Sequence, residues 1–435
     1  MRIAVLGAGI VGVTTAYELS CDGHQVTLFE RRGSVAVEAS FANAGVLAPG
    51  YVTPWAAPGM LRKVLGQWGR RDAAVRLASL PGPALAAWLW RWWRACAQPQ
   101  YLASRSAMLA LATASLARTR ELATDLAIEH ERTRGLLVLL RSEKELVRAR
   151  LGLKLLSELG VDFHLVDAAG CRRIEPALSE ATTLRAGIHL PGADVGNCRQ
   201  FAMGLKSELQ RRGVEFRFGH AVQSLVPGTT VSIESLALAT DAESTFAGTG
   251  SVGIARTDRY DAVVVCAALD SRDLLRPHGL ALPLQPVYGY SITLPVRHFE
   301  AHPDVGPRSA LIDERYKVAI SRLGDRVRVA GGAELAGTSS HLAVAPIATL
   351  HRVLQDWFPS AAHHAQAQTW KGARPMRPDG PPVIGAAGVP GIWLNTGHGS
   401  SGWALACGSA RLLADAVAGR APTLDASRFS PQRWR

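Results

Sequence analysis

Arg2-Ile3-Ala4-Val5-Leu6 leads into Gly7-Ala8-Gly9-Ile10-Val11-Gly12, an apolar run ending in a glycine-rich turn that opens a helix. A second apolar run, Gln25-Val26-Thr27-Leu28-Phe29, stops at Glu30. Strand, turn, helix, strand and terminal acid in this order predict a βαβ unit that binds a dinucleotide. Gly7 permits the tight turn, Gly9 lets the backbone approach a pyrophosphate, and Gly12 lets the helix pack on the strand. The helix N-terminus at Ile10 and Val11 faces the phosphate charge. Glu30 falls where a carboxylate accepts the ribose hydroxyls of an adenosine. This unit alone suits NAD or FAD equally.

The 435-residue chain, 48% hydrophobic and 19% charged, fits a globular protein of two domains. Because the nucleotide strand begins at residue 2, no signal peptide is expected, and a cytoplasmic location follows. No stretch reaches the roughly 18 uncharged apolar residues of a membrane-spanning helix. The six cysteines are scattered without a CxxC pair and read as reduced thiols, so neither disulfides nor a metal site is expected. The net charge of +12 comes from dispersed pairs such as Arg31-Arg32 and Arg211-Arg212, not from a basic run. Nucleic-acid binding is therefore not expected.

Leucine, methionine and alanine at helical spacing predict one long amphipathic helix from Tyr101 to Glu129, and a second runs from Glu143 to Leu159. Gly135 to Arg141 is an apolar strand, Cys198 to Arg212 a helix and Gly213 to Phe218 a strand. Asp261-Ala262-Val263-Val264-Val265-Cys266 is a further nucleotide-domain strand. Val287–Val296, Lys317–Arg322 and Arg326–Ala330 alternate as antiparallel strands do. Pro227–Thr257 reads as a surface meander. Arg374 to Gly385 is a turn-rich segment before a strand at Ile392-Trp393-Leu394-Asn395, followed by Thr396-Gly397-His398-Gly399-Ser400-Ser401-Gly402-Trp403 and a small-residue helix. This second glycine-rich strand-to-helix turn offers N–H groups to the electron-rich end of a reduced flavin, which favours FAD.

With these motifs on the page, the chain resembles the D-amino-acid oxidase superfamily of flavoproteins and, within it, the bacterial D-amino-acid dehydrogenases. The likeness rests on the fingerprint, on Ala42-Asn43-Ala44-Gly45, Pro54-Trp55-Ala56-Ala57-Pro58-Gly59 and Gly289-Tyr290-Ser291, and on Arg374-Pro375-Met376 and Asn395-Thr396-Gly397-His398-Gly399. It implies an α/β protein: a Rossmann-like FAD-binding domain (1–55, 165–284 and 370–435) interleaved with an α+β substrate domain (56–164 and 285–369) built on a mostly antiparallel sheet. The implied cofactor is non-covalent FAD, held by Gly7, Gly9, Ile10, Val11, Gly12, Glu30, Arg31, Ala42, Asn43, Ala44, Gly45, Val222, Ala267 and Ala268. At its other end the implied contacts are Gly397, His398, Gly399, Ser400, Gly402 and Trp403. The sequence departs from the family at Ala268, where glycine is usual, at Tyr288 and Arg315, and in the length of Pro227–Thr257.

The implied reaction is oxidation of a D-amino acid, with hydride passing from Cα to flavin N5 and electrons passing on to a quinone or other respiratory acceptor. Arg374 is the expected carboxylate clamp, because its planar fork matches two oxygens. Tyr290 and Tyr316 are expected to close over the substrate, and His398, exposed between two glycines, to meet the flavin edge. Trp88-Leu89-Trp90-Arg91-Trp92-Trp93-Arg94, with Trp68 and Arg70-Arg71 upstream, suits a headgroup interface and equally a buried aromatic helix. Peripheral contact with the inner face of the inner membrane and homo- or hetero-oligomers are compatible with this reading. A dehydrogenase of D-hydroxyproline or N-methyl amino acids is the near alternative. A tRNA-modifying flavoprotein and a non-catalytic FAD-binding protein are the remote ones.

Overall fold

The computed structural model describes residues 1–66, 73–238, 254–297, 305–339 and 341–434. Trp68, Arg70, Arg71 and the middle of the Pro227–Thr257 stretch lie outside the described residues. Six strands form the first sheet, in the order β18-β19-β12-β1-β2-β8. β1 (Arg2–Leu6), β2 (Gln25–Glu30), β8 (Glu215–Phe218), β12 (Ala262–Val265) and β19 (Ile392–Thr396) run parallel, and β18 (Val383–Ala386) closes one edge antiparallel. Ile3 to Leu6 and Val263 to Val265 are buried on both faces, as the central strands of a covered parallel sheet must be.

One face is covered by α1 (Ile10–Cys21), α7 (Cys198–Arg211) and α10 (Gly402–Val417), with the long α4 (Gln98–Asp125) behind α10. Arginines 118 and 411 converge on the buried Glu18 at 2.8 Å each, tying α4, α10 and α1 together. The other face carries an antiparallel meander, β9 (His220–Val226), β10 (Val231–Ala237) and β11 (Ala255–Tyr260), and the short α8 (Ser271–Leu275).

The second sheet has ten strands, with a main order of β17-β13-β16-β15-β14-β5-β7-β3. These are β3 (Val46–Leu47), β5 (Thr133–Leu140), β7 (Ala186–Val195), β13 (Gln285–Pro295), β14 (Ala310–Asp313), β15 (Val318–Leu323), β16 (Arg326–Leu335) and β17 (Gln368–Met376). Short β4 (Val75–Leu77) joins β16 and β6 (His164–Asp167) joins β7. Only the β14–β5 and β16–β4 pairings are parallel.

One face of this sheet, with Ile292, Leu294, Val318, Ile320, Val327 and Val329, is buried against α9 (Val344–Trp357). The opposite face is covered at one end by α5 (Glu143–Glu158) and at the other by α3 (Pro83–Ala95). α2 (Met60–Leu65) lies beside α3, and α6 (Ala168–Ile174) packs on β6 and β7.

Two expectations need correction. The chain crosses between the sheets more often than the expected boundaries allow: β3, β6, β7 and most of β17 fall inside the stretches assigned to the FAD-binding domain, yet they pair in the large sheet. Strand periodicity says which residues share a face, not which sheet receives them. Arg374-Pro375-Met376, expected as turn, is instead the end of β17. That strand is at the sheet edge, so Pro375, which has no N–H, forfeits no ladder bond there.

Asp313 anchors the junction of β14, β5 and α9. It is fully buried and accepts hydrogen bonds from Arg141 Nε (2.7 Å), Trp357 Nε1 (2.8 Å) and the Tyr316 N–H (3.1 Å). Asp313→Ala would leave the buried Arg141 with Asp356 alone, on the more exposed side. Urea unfolding should show a loss of about 3–5 kcal/mol. A loss below about 1 kcal/mol would mean that Asp356 suffices.

Candidate active site

The glycine turn after β1 is set by close backbone approach. A Cβ on Gly12 would sit 1.8 Å from the Gly7 carbonyl oxygen, and one on Gly7, at φ +99°, would sit 2.8 Å from the Cys266 oxygen. Gly9 meets only Ser40 Oγ, at 3.5 Å, so its backbone stays bare toward the cavity. Ser40, which the sequence reading passed over, accepts the Ile10 N–H at 3.1 Å. Glu30 accepts the Ala8 and Arg32 N–H groups at 2.8 and 2.9 Å, and burial raises its pKa. Arg31 is turned aside into ion pairs with Glu38 and Asp270.

Val222 and Ala267 form part of the opposite wall, and Ala268 beside them holds φ +48°. An L side chain costs roughly 1–2 kcal/mol in that conformation, which explains why glycine would be easier there. At the other end, Gly397 and Gly399 have φ +77° and +58°, and a Cβ on either would strike Arg377 or Met376 at 2.8 Å. Ser400, Gly402 and Trp403 bring the start of α10 to the same space. Between the two ends run Ala42, Asn43, Ala44 and Gly45. Asn43 Oδ1 accepts the Gly45 N–H at 2.9 Å, Ser321 Oγ donates to the Ala44 oxygen at 2.7 Å, and Arg328 donates to the Asn43 oxygen at 3.3 Å. Arg328 is buried, and burial lowers its pKa to about 10. Nothing in its strand-like surroundings distinguished it in the sequence.

All these segments border one cavity of about 1590 Å³, larger than the roughly 300–1,000 Å³ of a single-ligand site. Its long glycine-lined trough, with a carboxylate at one end and helix N–H groups at both, fits FAD. The remaining space lies along the large sheet.

Arg374 extends from β17 into that space. Its guanidinium lies across Gly289, where a Cβ would come within 2.2 Å of Nη2, and Nη1 donates to the Gly332 oxygen at 2.8 Å. Among the described residues no carboxylate pairs with it. Burial alone lowers its pKa to about 10, so it stays charged at neutral pH.

The tyrosines are placed differently from expectation. Tyr290 borders the cavity, but its hydroxyl donates to Glu334 at 2.8 Å, and Glu334 is paired with Lys371. Tyr316 does not line the cavity: its ring lies under Arg141 and Arg352, at 5.2 and 4.6 Å, beside the α9 core. His398 does line it, yet is buried and not exposed as expected, with Nε2 3.0 Å from Ser409 Oγ. Trp55 is also on the wall.

A glycine-lined dinucleotide trough joined to an arginine-bearing space on a large antiparallel sheet defines a flavin-dependent oxidoreductase. Residues 2–416 match the profile of the FAD dependent oxidoreductase family, to which the chain belongs. It is 42% identical over 438 residues to a D-amino acid dehydrogenase of Cereibacter sphaeroides, covering all of this chain and 95% of that protein. It is 41% identical to one of Methylobacterium nodulans, covering 100% and 99%. Among solved structures, glycine oxidase from Geobacillus kaustophilus superposes with a TM-score of 0.71 at 21% identity over 99% of this chain and 98% of that one. L-proline dehydrogenase from P. horikoshii does so at 0.70 and 14%, over 100% and 97%. The protein is thus an FAD-dependent enzyme.

Burial holds the pKa of His398 near 3, so the ring is neutral in the folded protein. Between about pH 6.5 and 3 the unfolded chain takes up a proton at this residue that the folded chain refuses, so stability falls as pH falls, by about 1.4 kcal/mol per unit. His398→Gln should flatten the dependence of urea midpoints on pH between 6.5 and 4. An unchanged slope would place the titration elsewhere.

Proposed function

We propose that this enzyme oxidises D-amino acids to 2-oxo acids and ammonia and delivers the electrons to a quinone of the respiratory membrane. The observation that carries the reading is Arg374, a half-buried guanidinium without a carboxylate partner among the described residues, facing the space beside the FAD trough. A bidentate fork left uncompensated there is an anion site of carboxylate shape. The names of the curated relatives support the choice of D-amino acids. FAD, when bound, would supply the acceptor for the two electrons lost as the Cα–N bond becomes an imine. Water then adds to the imine carbon and ammonia leaves.

The chain's own part is positional. Arg374 is held flat by Gly289 and by the Gly332 carbonyl, so its free edge has one orientation toward a substrate carboxylate. Helices α5 and α3 wall the remaining space at the two ends of the sheet.

Helix α3 supports membrane docking. Trp88 and Trp92 are buried and border the cavity, whereas Trp90 and Trp93 are each 54% exposed, and Arg94 lies over Trp90 at 4.8 Å. Tryptophan and arginine on one exposed face match a headgroup interface. No helix among the described residues is long and apolar enough to cross a membrane.

Arg374→Lys keeps the charge and loses the fork, which costs about 1.5–3 kcal/mol and hence roughly 10- to 150-fold in kcat/KM for D-alanine. Anaerobic flavin bleaching measures it, and an unchanged value would remove Arg374 from the site. For the membrane, Trp90→Ser with Trp93→Ser should reduce co-sedimentation with anionic vesicles. The same variant should slow quinone-coupled turnover while sparing turnover with a soluble dye. Equal loss with both acceptors would refute docking through α3.

A further inference from the structure

The cavity continues past Arg374 along the face of the large sheet opposite α9, toward the end that α5 covers. Strand register sets its floor: Ala330 stands opposite Ala319, Ala319 opposite Ile312, Ile312 opposite Val138, and Val138 opposite Ile188. Residues directly opposite one another point to the same face, so these five form one row across five strands. All five border the cavity, and Ala149, Leu153 and Leu156 of α5 border it from above.

The row begins on β16, the strand whose Gly332 carbonyl holds the Arg374 guanidinium. At about 4.8 Å per strand, Ala319 and Ile312 lie roughly 5 and 10 Å from it. From β16 outward the floor is therefore two alanines and then branched aliphatic residues, a trough roomiest at the strand that holds the guanidinium and filled at its far end. Its polar neighbours Lys317 and Glu314 are paired with each other and present no unbalanced charge.

We propose that this trough is the side-chain subsite of the enzyme and that it selects D-amino acids with large uncharged apolar side chains. The proposal rests on Arg374 as the carboxylate clamp. With the carboxylate fixed there, a leucine, methionine or phenylalanine side chain lies over Ala330 and Ala319 toward Ile312. Each methylene so buried is worth about fourfold in kcat/KM. A carboxylate or guanidinium over Ala319 and Ile312 would lose its hydration beside a Lys317–Glu314 pair that is already neutralised.

The test is anaerobic flavin reduction in the holoenzyme with D-alanine, D-leucine, D-phenylalanine, D-glutamate and D-arginine. The expected result is a rise in kcat/KM of about tenfold or more from D-alanine to D-phenylalanine, with the two charged substrates below both. Ala319→Leu fills the floor, and Ala149→Leu fills the roof from a different element if the first does not fold. In either, the ratio of D-phenylalanine to D-alanine kcat/KM should fall by roughly tenfold or more.

Reduction independent of side-chain size, or an unchanged ratio in both variants, would overturn the subsite alone. If the variants reduce normally with every substrate but reoxidise slowly with a short-chain quinone, the trough takes the acceptor and the proposal falls. Failure of every D-amino acid to reduce the wild-type flavin would overturn the substrate reading itself, and the subsite with it.

Discussion

A sheet with apolar side chains on both faces has to be covered twice, and in this protein the chain covers the ten-stranded sheet only once in full. Helix α9 buries one face along Ile292, Leu294, Ile320 and Val329. On the other, α5 and α3 close the two ends and leave the middle facing the glycine turns of the nucleotide sheet. That uncovered middle is the cavity. FAD bound there to the folded chain would stabilise it by mass action, so cofactor retention and the stability of the sheet packing would be linked. The same geometry explains why the segment Ala42–Gly45 is held to the large sheet by Ser321 and Arg328: it is the seam along which the two sheets meet.

The nucleotide half was legible because its chemistry is local. A turn that needs positive φ at Gly7 and contact at Gly12 leaves few residue choices, and Glu30 follows from the length of one helix and one strand. The parallel strand at Ala262–Val265 was visible for a related reason, since burial on both faces removes alternation and leaves a run of valine. The antiparallel half was legible as strands and not as a site. Tyr290 sits on a strand that reads plainly and Arg374 on one that reads as a turn, and which face each side chain takes depends on register and on the irregularity between Tyr288 and Tyr290. Tyr316 sits in a turn closed by its own N–H to Asp313 three residues back, and its ring is claimed by Arg141 and Arg352 from distant parts of the chain, contacts that sequence spacing does not show.

His398 shows a different limit. Glycines on either side suggested openness, yet they are there for the opposite reason: Arg377 and Met376 press so closely on Gly397 and Gly399 that no Cβ fits. Glycine records the absence of room as readily as its presence. The tryptophan helix divides between its two readings. Residues four apart share a helix face, so Trp88 and Trp92 turn inward together while Trp90 and Trp93 face out, and one helix serves as cavity wall and surface at once.

The electrostatics of the cavity follow from what the large sheet leaves unpaired. Arg374 is bonded to a backbone carbonyl, and Arg328, behind the wall at Asn43, to Thr293 Oγ1 and a backbone carbonyl. Burial weakens both charges, lowering each pKa to about 10, without removing either at neutral pH. A cation satisfied only by neutral oxygens carries a desolvation cost, smaller for the half-buried Arg374 than for the buried Arg328. Anionic groups reduce that cost when they arrive. On the proposed reading the N–H groups at the helix starts would hold the diphosphate of FAD, and Arg374, whose planar fork matches two oxygens in one plane, would hold a carboxylate. On that reading, preference for an amino acid over an uncharged amine would come from Arg374, which has no carboxylate partner among the described residues, before any contact with the side chain is made.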